Sequence, residues 1–217
     1  MVSNSCENLS WEYQARKELN FPQTYKGVPF TIETLHIPDV ILITPKVFSD
    51  DRGFFEETYK KSEFNSLNLG ATFVQDNHSF SRKHTLRGLH FQNPPDAQGK
   101  LVRCIKGKIL DVAVDLRIGS PYFGKWISAA LTDENHRMLW IPEGFAHGFL
   151  AMDDSHVEYK VTREYSKDSE AGIIWNDPNL NIFWGVNEPL VSIKDTLWPH
   201  LEIGKIRFLY NPGGMNP

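Results

Sequence analysis

Residues 101–116 read LVRCIKGKILDVAVDL, and this stretch decides the class of fold. Two apolar runs, residues 101–105 and 109–116, flank Gly107, a pattern that predicts a β-hairpin. Within the second run the apolar positions 112, 114 and 116 alternate with positions 111, 113 and 115. A period of two is typical of a β-strand, because successive side chains point to opposite faces of a sheet.

Other short apolar runs extend this pattern along the chain, and Gly, Pro and Asp residues separate them. We expect strands at residues 40–43, 72–75, 126–131, 138–141, 147–152, 156–162 and 172–175. Many short strands at such spacing are typical of a sandwich or closed barrel. In this middle part of the chain only residues 62–67 look helical. We find neither a βαβ pattern nor a GxGxxG motif, which argues against a dinucleotide-binding domain.

Length and charge narrow the range of functions. The 217 residues suit a single all-β domain, and the net charge of −4 comes without a basic stripe for nucleic acid. Apolar runs stay well below the ~20 residues of a membrane-spanning helix. The two cysteines, Cys6 and Cys104, lie far apart and suggest no disulfide framework. We therefore expect a soluble cytoplasmic protein that binds neither nucleic acid nor membrane.

Two of the eight histidines lie in unusual surroundings. His90 lies in LRGLHFQ (residues 86–92), and His147 lies in PEGFAHGF (residues 142–149). Metal-binding jelly rolls often use a His-x-His pair, but position 92 is Gln, so His90 lacks such a partner. First-row metals usually need three or more His or carboxylate ligands, and we expect no metal site. A histidine without a metal suits the role of a general base near neutral pH.

Six motifs occur in one order along the chain: DRGFF (51–55), QDNHS (75–79), LRGLHFQ (86–92), GKLVR (99–103), WIPEGFAHGF (140–149) and WND (175–177). Together they resemble the dTDP-4-dehydrorhamnose 3,5-epimerase family, from about Ile37 to about Trp198. The resemblance implies an all-β, cupin-type jelly roll with a few short helices, and a homodimer. It divides the chain into an N-terminal extension (1–34), an epimerase domain (35–200) and a C-terminal tail (201–217).

The resemblance also implies a reaction. The family inverts C3 and C5 of a dTDP-linked 4-keto-6-deoxyhexose without a metal or a nicotinamide cofactor. Each inversion requires a base beside the ketone, a donor for the enolate oxygen and an acid on the opposite face. By motif, His90 is the base, Asp177 its orienting carboxylate, Tyr159 the acid and Lys100 the donor to the enolate oxygen.

The remaining expected contacts also follow from the resemblance. Arg87 would lie near the sugar and phosphate, and Gln75 and Asn77 would hold the nucleotide. His147 matches a family position near the site, and its role stays open. A planar guanidinium suits a diphosphate. The contacts expected from the partner subunit are Arg52, Phe55 and Glu57.

Several alternatives keep much of the same set of residues. A relative could invert only C3 or only C5, or move the carbonyl between C3 and C4. A non-catalytic jelly roll that binds a sugar nucleotide would not need the His–Asp pair. A metal-dependent cupin oxygenase is disfavoured by the missing His-x-His pair.

Overall fold

The computed structural model describes residues 23–24, 29–67, 69 and 72–212, and most of its regular structure is β-strand. Two short helices, α1 (Lys61–Ser66) and α2 (Ile193–Thr196), and one turn of 3-10 helix (Ile203–Lys205) lie within these residues. The strands described are β1 (Gln23–Thr24), β2 (Phe30–Thr34), β3 (Ile41–Pro45), β4 (Val47–Asp50), β5 (Gly53–Glu56), β6 (Gln75–Ser81), β7 (Thr85–Gln92), β8 (Lys100–Lys106), β9 (Lys108–Asp115), β10 (Trp126–Thr132), β11 (Met138–Ile141), β12 (Phe145–Ala151), β13 (Ser155–Val161), β14 (Glu170–Gly172) and β15 (Leu190–Val191).

Two large sheets face each other across the interior. The seven-stranded sheet has the order β1-β2-β3-β11-β8-β13-β6. The six-stranded sheet runs β10-β9-β12-β7-β14, with β15 parallel to β7, and β4 and β5 form a separate hairpin. The chain passes repeatedly from one sheet to the other, which confirms the all-β jelly roll expected from the sequence. Among the described residues no helix combines the length and apolar character needed to cross a membrane.

Strand β9 is buried on both faces, and its two faces do different things. Ile109 and Ala113 pack between the sheets, whereas Val112 and Val114 pack into a second cluster on the outer face of the six-stranded sheet. The expected alternation is therefore present. Its continuous apolar face points outward to a covering layer, and the face that carries Asp111 points into the interior.

The predicted hairpin around Gly107 is wrong, although both of its strands exist. Strand β8 pairs with β11 and β13 in the larger sheet, while β9 pairs with β10 and β12 in the smaller one. Gly107 is the crossing point between the sheets. Its φ is +86°, and a Cβ there would lie 2.3 Å from the carbonyl oxygen of Asp154. The sequence shows where the chain turns, but the turn leads to the other sheet.

Packed structure continues past both ends of the expected epimerase domain, residues 35–200. Strand β2 was assigned to the N-terminal extension, yet it pairs with β3 along its whole length and buries Phe30. Residues 1–22 of that extension lie outside the described residues. In the expected C-terminal tail, Ile206 and Phe208 are buried in the outer cluster, and the Phe208 carbonyl accepts a hydrogen bond from the Ile118 amide at 2.9 Å. Residues on either side of the expected domain therefore pack with it.

Replacing Phe208 should test whether the tail belongs to the core. Its ring centroid lies 5.9 Å from that of Phe91, so Phe208→Ala removes buried apolar contact. We expect the free energy of unfolding to fall by about 3 kcal/mol, measured by chemical denaturation. Leu209→Ala is the control, since Leu209 is 77% exposed and its loss should cost less than about 0.5 kcal/mol. Equal, small effects of the two variants would place the tail outside the core.

Candidate functional site

A cavity of about 540 Å³ opens between the two sheets and gathers most of the expected catalytic residues. Its walls come from strands β6, β7, β8, β12, β13 and β15 and from α2. The titratable or hydroxyl-bearing side chains that line it are Ser79, Thr85, Arg87, His90, Lys100, His147, Tyr159, Ser192, Lys194 and Asp195. A carboxylate, two histidines, three cationic side chains and a phenol thus meet in one cleft, as proton-transfer chemistry requires.

His90 lies on β7, and its side chain contacts a carboxylate at short range. Its Nε2 lies 2.6 Å from Oδ1 of Asp195. An ionised carboxylate only accepts hydrogen bonds, so a neutral His90 donates Nε2–H to it. The other ring nitrogen, Nδ1, is then left as an acceptor. This arrangement equips His90 to take up a proton.

Asp195 lies in α2 and is almost completely buried. The helix begins after Ser192, whose hydroxyl accepts a hydrogen bond from the Asp195 amide at 3.1 Å. Burial would raise the pKa of Asp195, but the hydrogen bond and charge of His90 hold it below its usual value. The Gly88 amide and the Trp198 indole act in the same direction. Asp195 therefore stays ionised beside His90.

The expectation that Asp177 orients His90 is corrected by this geometry. Oδ1 of Asp177 accepts hydrogen bonds from the amides of Asn179 and Leu180 at 2.7 and 3.3 Å. Its Oδ2 accepts one from the Leu201 amide at 2.7 Å. Asp177 lines a different cavity, on the outer face of the six-stranded sheet. Asp177 stabilises the turn that follows it by accepting hydrogen bonds from backbone amides, a common role for an Asp before proline.

A sequence signal for Asp195 was present and was missed. The residues Ser192-Ile-Lys-Asp195 have the spacing of a helix N-cap, with a hydroxyl residue three positions before an acid. The helix has only four residues, so apolar periodicity could not reveal it.

Lys100 lies in the cavity beside His90, as expected. Burial lowers the pKa of Lys100 to about 8, while the charges of Asp111 and Glu170 oppose the shift. Its Nζ donates to the backbone carbonyl of His90 at 3.4 Å. The ammonium form therefore predominates at neutral pH, although its proton is held less tightly than in water.

His147 forms a second histidine–carboxylate pair, with Asp111 of β9. The distance from Nε2 to Oδ1 is 2.7 Å, and the Asp111 side chain is completely buried. Burial lowers the pKa of His147, against the opposing charge and hydrogen bond of Asp111, and nearby Lys100 and His90 lower it further. Asp111 gave no distinct sequence signal, because an acid within an apolar strand also fits an ordinary surface position.

Tyr159 reaches the cavity from β13, in the sheet opposite His90. Burial raises the pKa of the Tyr159 phenol, and the charge of Arg87 opposes this only in part. Arg87 is itself anchored, since it donates to the hydroxyl of Ser81 at 2.9 Å and to the Phe80 carbonyl at 3.0 Å.

The residues expected to bind the nucleotide fall into two groups. Gln75 and Asn77 are neighbours on β6, and the Gln75 amide nitrogen donates to Oδ1 of Asn77 at 2.7 Å. Arg52, Phe55 and Glu57 lie on or next to the β4–β5 hairpin and do not line this cavity. Arg52 pairs with Asp50 at 2.6 Å, and Phe55 is 65% exposed. Gln75 and Asn77 do not line the cavity either, but Asn77 lines a smaller pocket that shares Tyr159 with it.

Within the residues that the structure describes, no group of three or more His, Cys, Asp or Glu side chains is arranged to hold a metal ion.

Comparison with known proteins gives one consistent result. The family model described as dTDP-4-dehydrorhamnose 3,5-epimerase matches residues 34–202. The enzyme of that name from Shigella flexneri is 54% identical over 161 residues, which cover 73% of this chain and 89% of the relative. A crystal structure from Sulfolobus tokodaii superposes with a TM-score of 0.77 at 46% identity, covering 84% of this chain and 100% of the other. One from Legionella pneumophila, in complex with dTDP-4-keto-L-rhamnose, gives 0.79 at 40% identity and covers 84% and 99%.

The structural role of Asp177 gives a pH-dependent prediction. Burial would raise the pKa of Asp177, but its backbone donors and His200 hold it below the usual value. The charged form thus stabilises the fold above pH ~4, and this contribution disappears as the pH falls through the folded pKa. Asp177→Asn should lower the free energy of unfolding by about 1–3 kcal/mol at pH 7, with the difference narrowing below pH ~4. Urea titrations at several pH values measure it.

Asp168→Asn is the control for that series, since Asp168 is an exposed carboxylate in a loop. It should change stability little at any pH. If the loss in free energy of unfolding caused by Asp177→Asn stays constant down to pH ~2, the charged carboxylate of Asp177 does not have the structural role described above.

Proposed function

The chain belongs to the dTDP-4-dehydrorhamnose 3,5-epimerase family, and we propose that its cavity inverts C3 and C5 of dTDP-4-dehydro-6-deoxyglucose. The product would be dTDP-4-dehydrorhamnose, an intermediate for dTDP-rhamnose or a related deoxysugar. The enzyme is an isomerase. The observation that carries the proposed chemistry is the His90–Asp195 pair at 2.6 Å, which faces Tyr159 across the cavity.

His90 is the proposed base at both carbons. A hydrogen next to a ketone is weakly acidic, and its removal leaves an enolate. Nδ1 of His90 takes this proton while Nε2–H remains bonded to Asp195. The carboxylate fixes the tautomer and stabilises the imidazolium that forms, as in other His–Asp pairs. His90 thus keeps its expected role as the base. The role of the orienting carboxylate, expected for Asp177, is assigned to Asp195.

Tyr159 is the proposed acid on the other face of the sugar. Its raised pKa keeps the phenol protonated at neutral pH, so it has a proton to donate. Because His90 and Tyr159 approach from facing sheets, a proton removed by one and returned by the other changes the configuration at the carbon. Inversion therefore follows from where the two strands lie.

Lys100 is the proposed donor to the enolate oxygen. The negative charge develops on the oxygen bound to C4, the carbon between C3 and C5. A preorganised cation beside this oxygen lowers the barrier to both proton transfers. Asp111 keeps Lys100 charged despite burial, because its carboxylate opposes the loss of the proton. His147, with its lowered pKa, stays neutral and donates to Asp111 without adding a second positive charge. This gives His147 a supporting role.

The nucleotide end of the site is proposed to need two chains. Gln75, Asn77 and Arg87 of one chain would hold the nucleotide and phosphate near the cavity mouth. Arg52, Phe55 and Glu57 would come from a second copy, because the β4–β5 hairpin carries them away from the cavity of their own chain. The hairpin also exposes Phe48 and Phe54. Exposed aromatic residues on a projecting hairpin support a homodimer.

Isotope exchange separates the proposed base from the proposed acid. In deuterated water, with a chelator and without nicotinamide, the wild-type protein should incorporate deuterium at C3 and C5, read by NMR. His90→Asn should lower this exchange by about 10²–10⁴-fold, as expected for loss of a general base. Tyr159→Phe should still exchange deuterium but form little inverted product, because it lacks the phenolic proton.

His78→Asn serves as the matched control, since His78 is an exposed histidine on β6. It should exchange at the wild-type rate. Near-normal exchange by His90→Asn would remove His90 from its role. Label at one carbon alone would point to a single-centre epimerase, and a shifted carbonyl to a ketoisomerase. Binding without exchange would indicate a sugar-nucleotide-binding protein, and activity restored only by a divalent metal would contradict the metal-free mechanism.

Subunit mixing tests the two-chain site. Arg52→Ala should raise KM by roughly ten- to a hundredfold, the usual effect of losing a charge-assisted bond, and lower turnover less. A heterodimer of Arg52→Ala with His90→Asn would contain one site with both defects and one with neither. Mixed samples should therefore regain activity that neither homodimer has at low substrate concentration. Light scattering checks the dimer, and no recovery despite proven exchange would mean that each site is built within one chain.

A further inference from the structure

The indole of Trp198 contacts the carboxylate that orients His90. Its Nε1–H donates to Oδ1 of Asp195 at 3.3 Å. This is the same oxygen that contacts Nε2 of His90 at 2.6 Å. The other carboxylate oxygen lies 3.4 Å from the backbone amide of Gly88. Two ring N–H groups therefore meet at one oxygen of Asp195.

The indole can reach this position only because residue 172 is glycine. Gly172 is the cross-strand neighbour of His90, on β14. A Cβ at residue 172 would lie 2.5 Å from Cδ2 and Cε2 of Trp198, closer than any real contact. The indole thus lies against the backbone of β14, and its centroid is 6.2 Å from that of His90.

We propose that Trp198 is a positioning residue for the epimerase reaction, which fixes the Asp195 carboxylate through its indole N–H. The inference rests on the proposed role of His90 as the base. Asp195 lies in a helix of one turn near the cavity mouth, so its backbone alone restrains it weakly. The indole contacts the carboxylate, but Trp198 does not line the cavity itself. Its loss should therefore affect turnover and leave substrate binding nearly unchanged.

The shared oxygen also affects the pH dependence of the reaction. The indole N–H neutralises part of the carboxylate charge that His90 senses. Without it, the full carboxylate charge acts on the reacting histidine, and we expect the acid limb of kcat/KM to move to higher pH. Other charged or titratable groups facing the pair are Glu170 on β14, Lys194 on α2, Lys100 on β8 and His147 on β12. Lys194 also contacts the indole, since its Nζ lies 5.6 Å from the centroid of the Trp198 ring, so the replacement at position 198 should keep an aromatic ring for this contact.

The test compares Trp198→Phe with the wild type in steady-state kinetics over a range of pH. We expect kcat to fall about 3- to 30-fold, KM to stay within about twofold, and the acid limb of kcat/KM to move up by roughly half a pH unit. Trp126→Phe is the matched control, because it removes an indole N–H bonded to the Leu180 carbonyl at 3.0 Å, remote from Asp195. It should leave the pH profile unchanged.

A second replacement covers the case in which phenylalanine disturbs the fold. Benzothienylalanine at position 198 keeps the shape of the indole and its packing on Gly172 but has no N–H. It should reproduce the loss of kcat and the pH shift. A folded protein with either replacement and wild-type kcat and pH profile would overturn the proposal, since packing alone would then explain Trp198.

NMR separates this inference from the proposed function. In protein labelled with ¹⁵N-tryptophan, the indole signal of Trp198 should shift on Asp195→Asn, and that of Trp126 should not. If the indole signal of Trp198 does not shift on Asp195→Asn, the inference is overturned, whether or not the protein is active. A wild-type protein with no epimerase activity but with the coupled signal would support the placement of the carboxylate, and the proposed function would be the part that fails.

Discussion

The cost of burying carboxylates governs the architecture of this site. Asp111 and Asp195 lie in the protein interior, where an unpaired charge is strongly destabilising. Each therefore has a histidine within 2.7 Å, and Lys100 lies among them as a compensating cation. One of these carboxylates, Asp111, lies on the interior face of β9. The second hydrophobic cluster, on the outer face of the six-stranded sheet, adds apolar burial to that of the cluster between the sheets.

Burial also determines which side chains of the cavity are protonated at neutral pH. Lys100 and Tyr159 keep theirs, because the pKa of Lys100 stays at about 8 and that of Tyr159 is raised. His147 remains neutral because its pKa is lowered. The cavity thus contains a cation, a neutral acid and a neutral supporting histidine. His90 is left as the side chain whose free nitrogen is positioned to accept a proton.

The sequence predicted local features well and their partners poorly. Strand β11 was expected at residues 138–141 and is found there, because apolar period and flanking turns are local signals. The hairpin at Gly107 failed because pairing depends on which sheet the chain enters next. Strand β7, which carries His90, was not predicted, since Arg87 and Gly88 interrupt its apolar pattern. His90, Lys100 and Tyr159 meet in the cavity as the resemblance implied. The carboxylate was assigned to Asp177 because its motif was conspicuous, while Asp195 occupies a single turn of helix with no periodic pattern.

Helix α2 lies late in the sequence, so the ribosome synthesises it after most of the residues that line the cavity. When the ribosome has synthesised β7 through β13, His90, Lys100 and Tyr159 are present, but Asp195, the carboxylate partner of His90, is still missing. A message cut short before codon 195, or a protease that clips the loop ahead of Ser192, would leave a chain with most of the jelly roll and without its dyad. In the proposed homodimer, such a chain would compete with intact copies for partners. It would complete the partner's site but not its own, because the β4–β5 hairpin precedes α2 in the sequence.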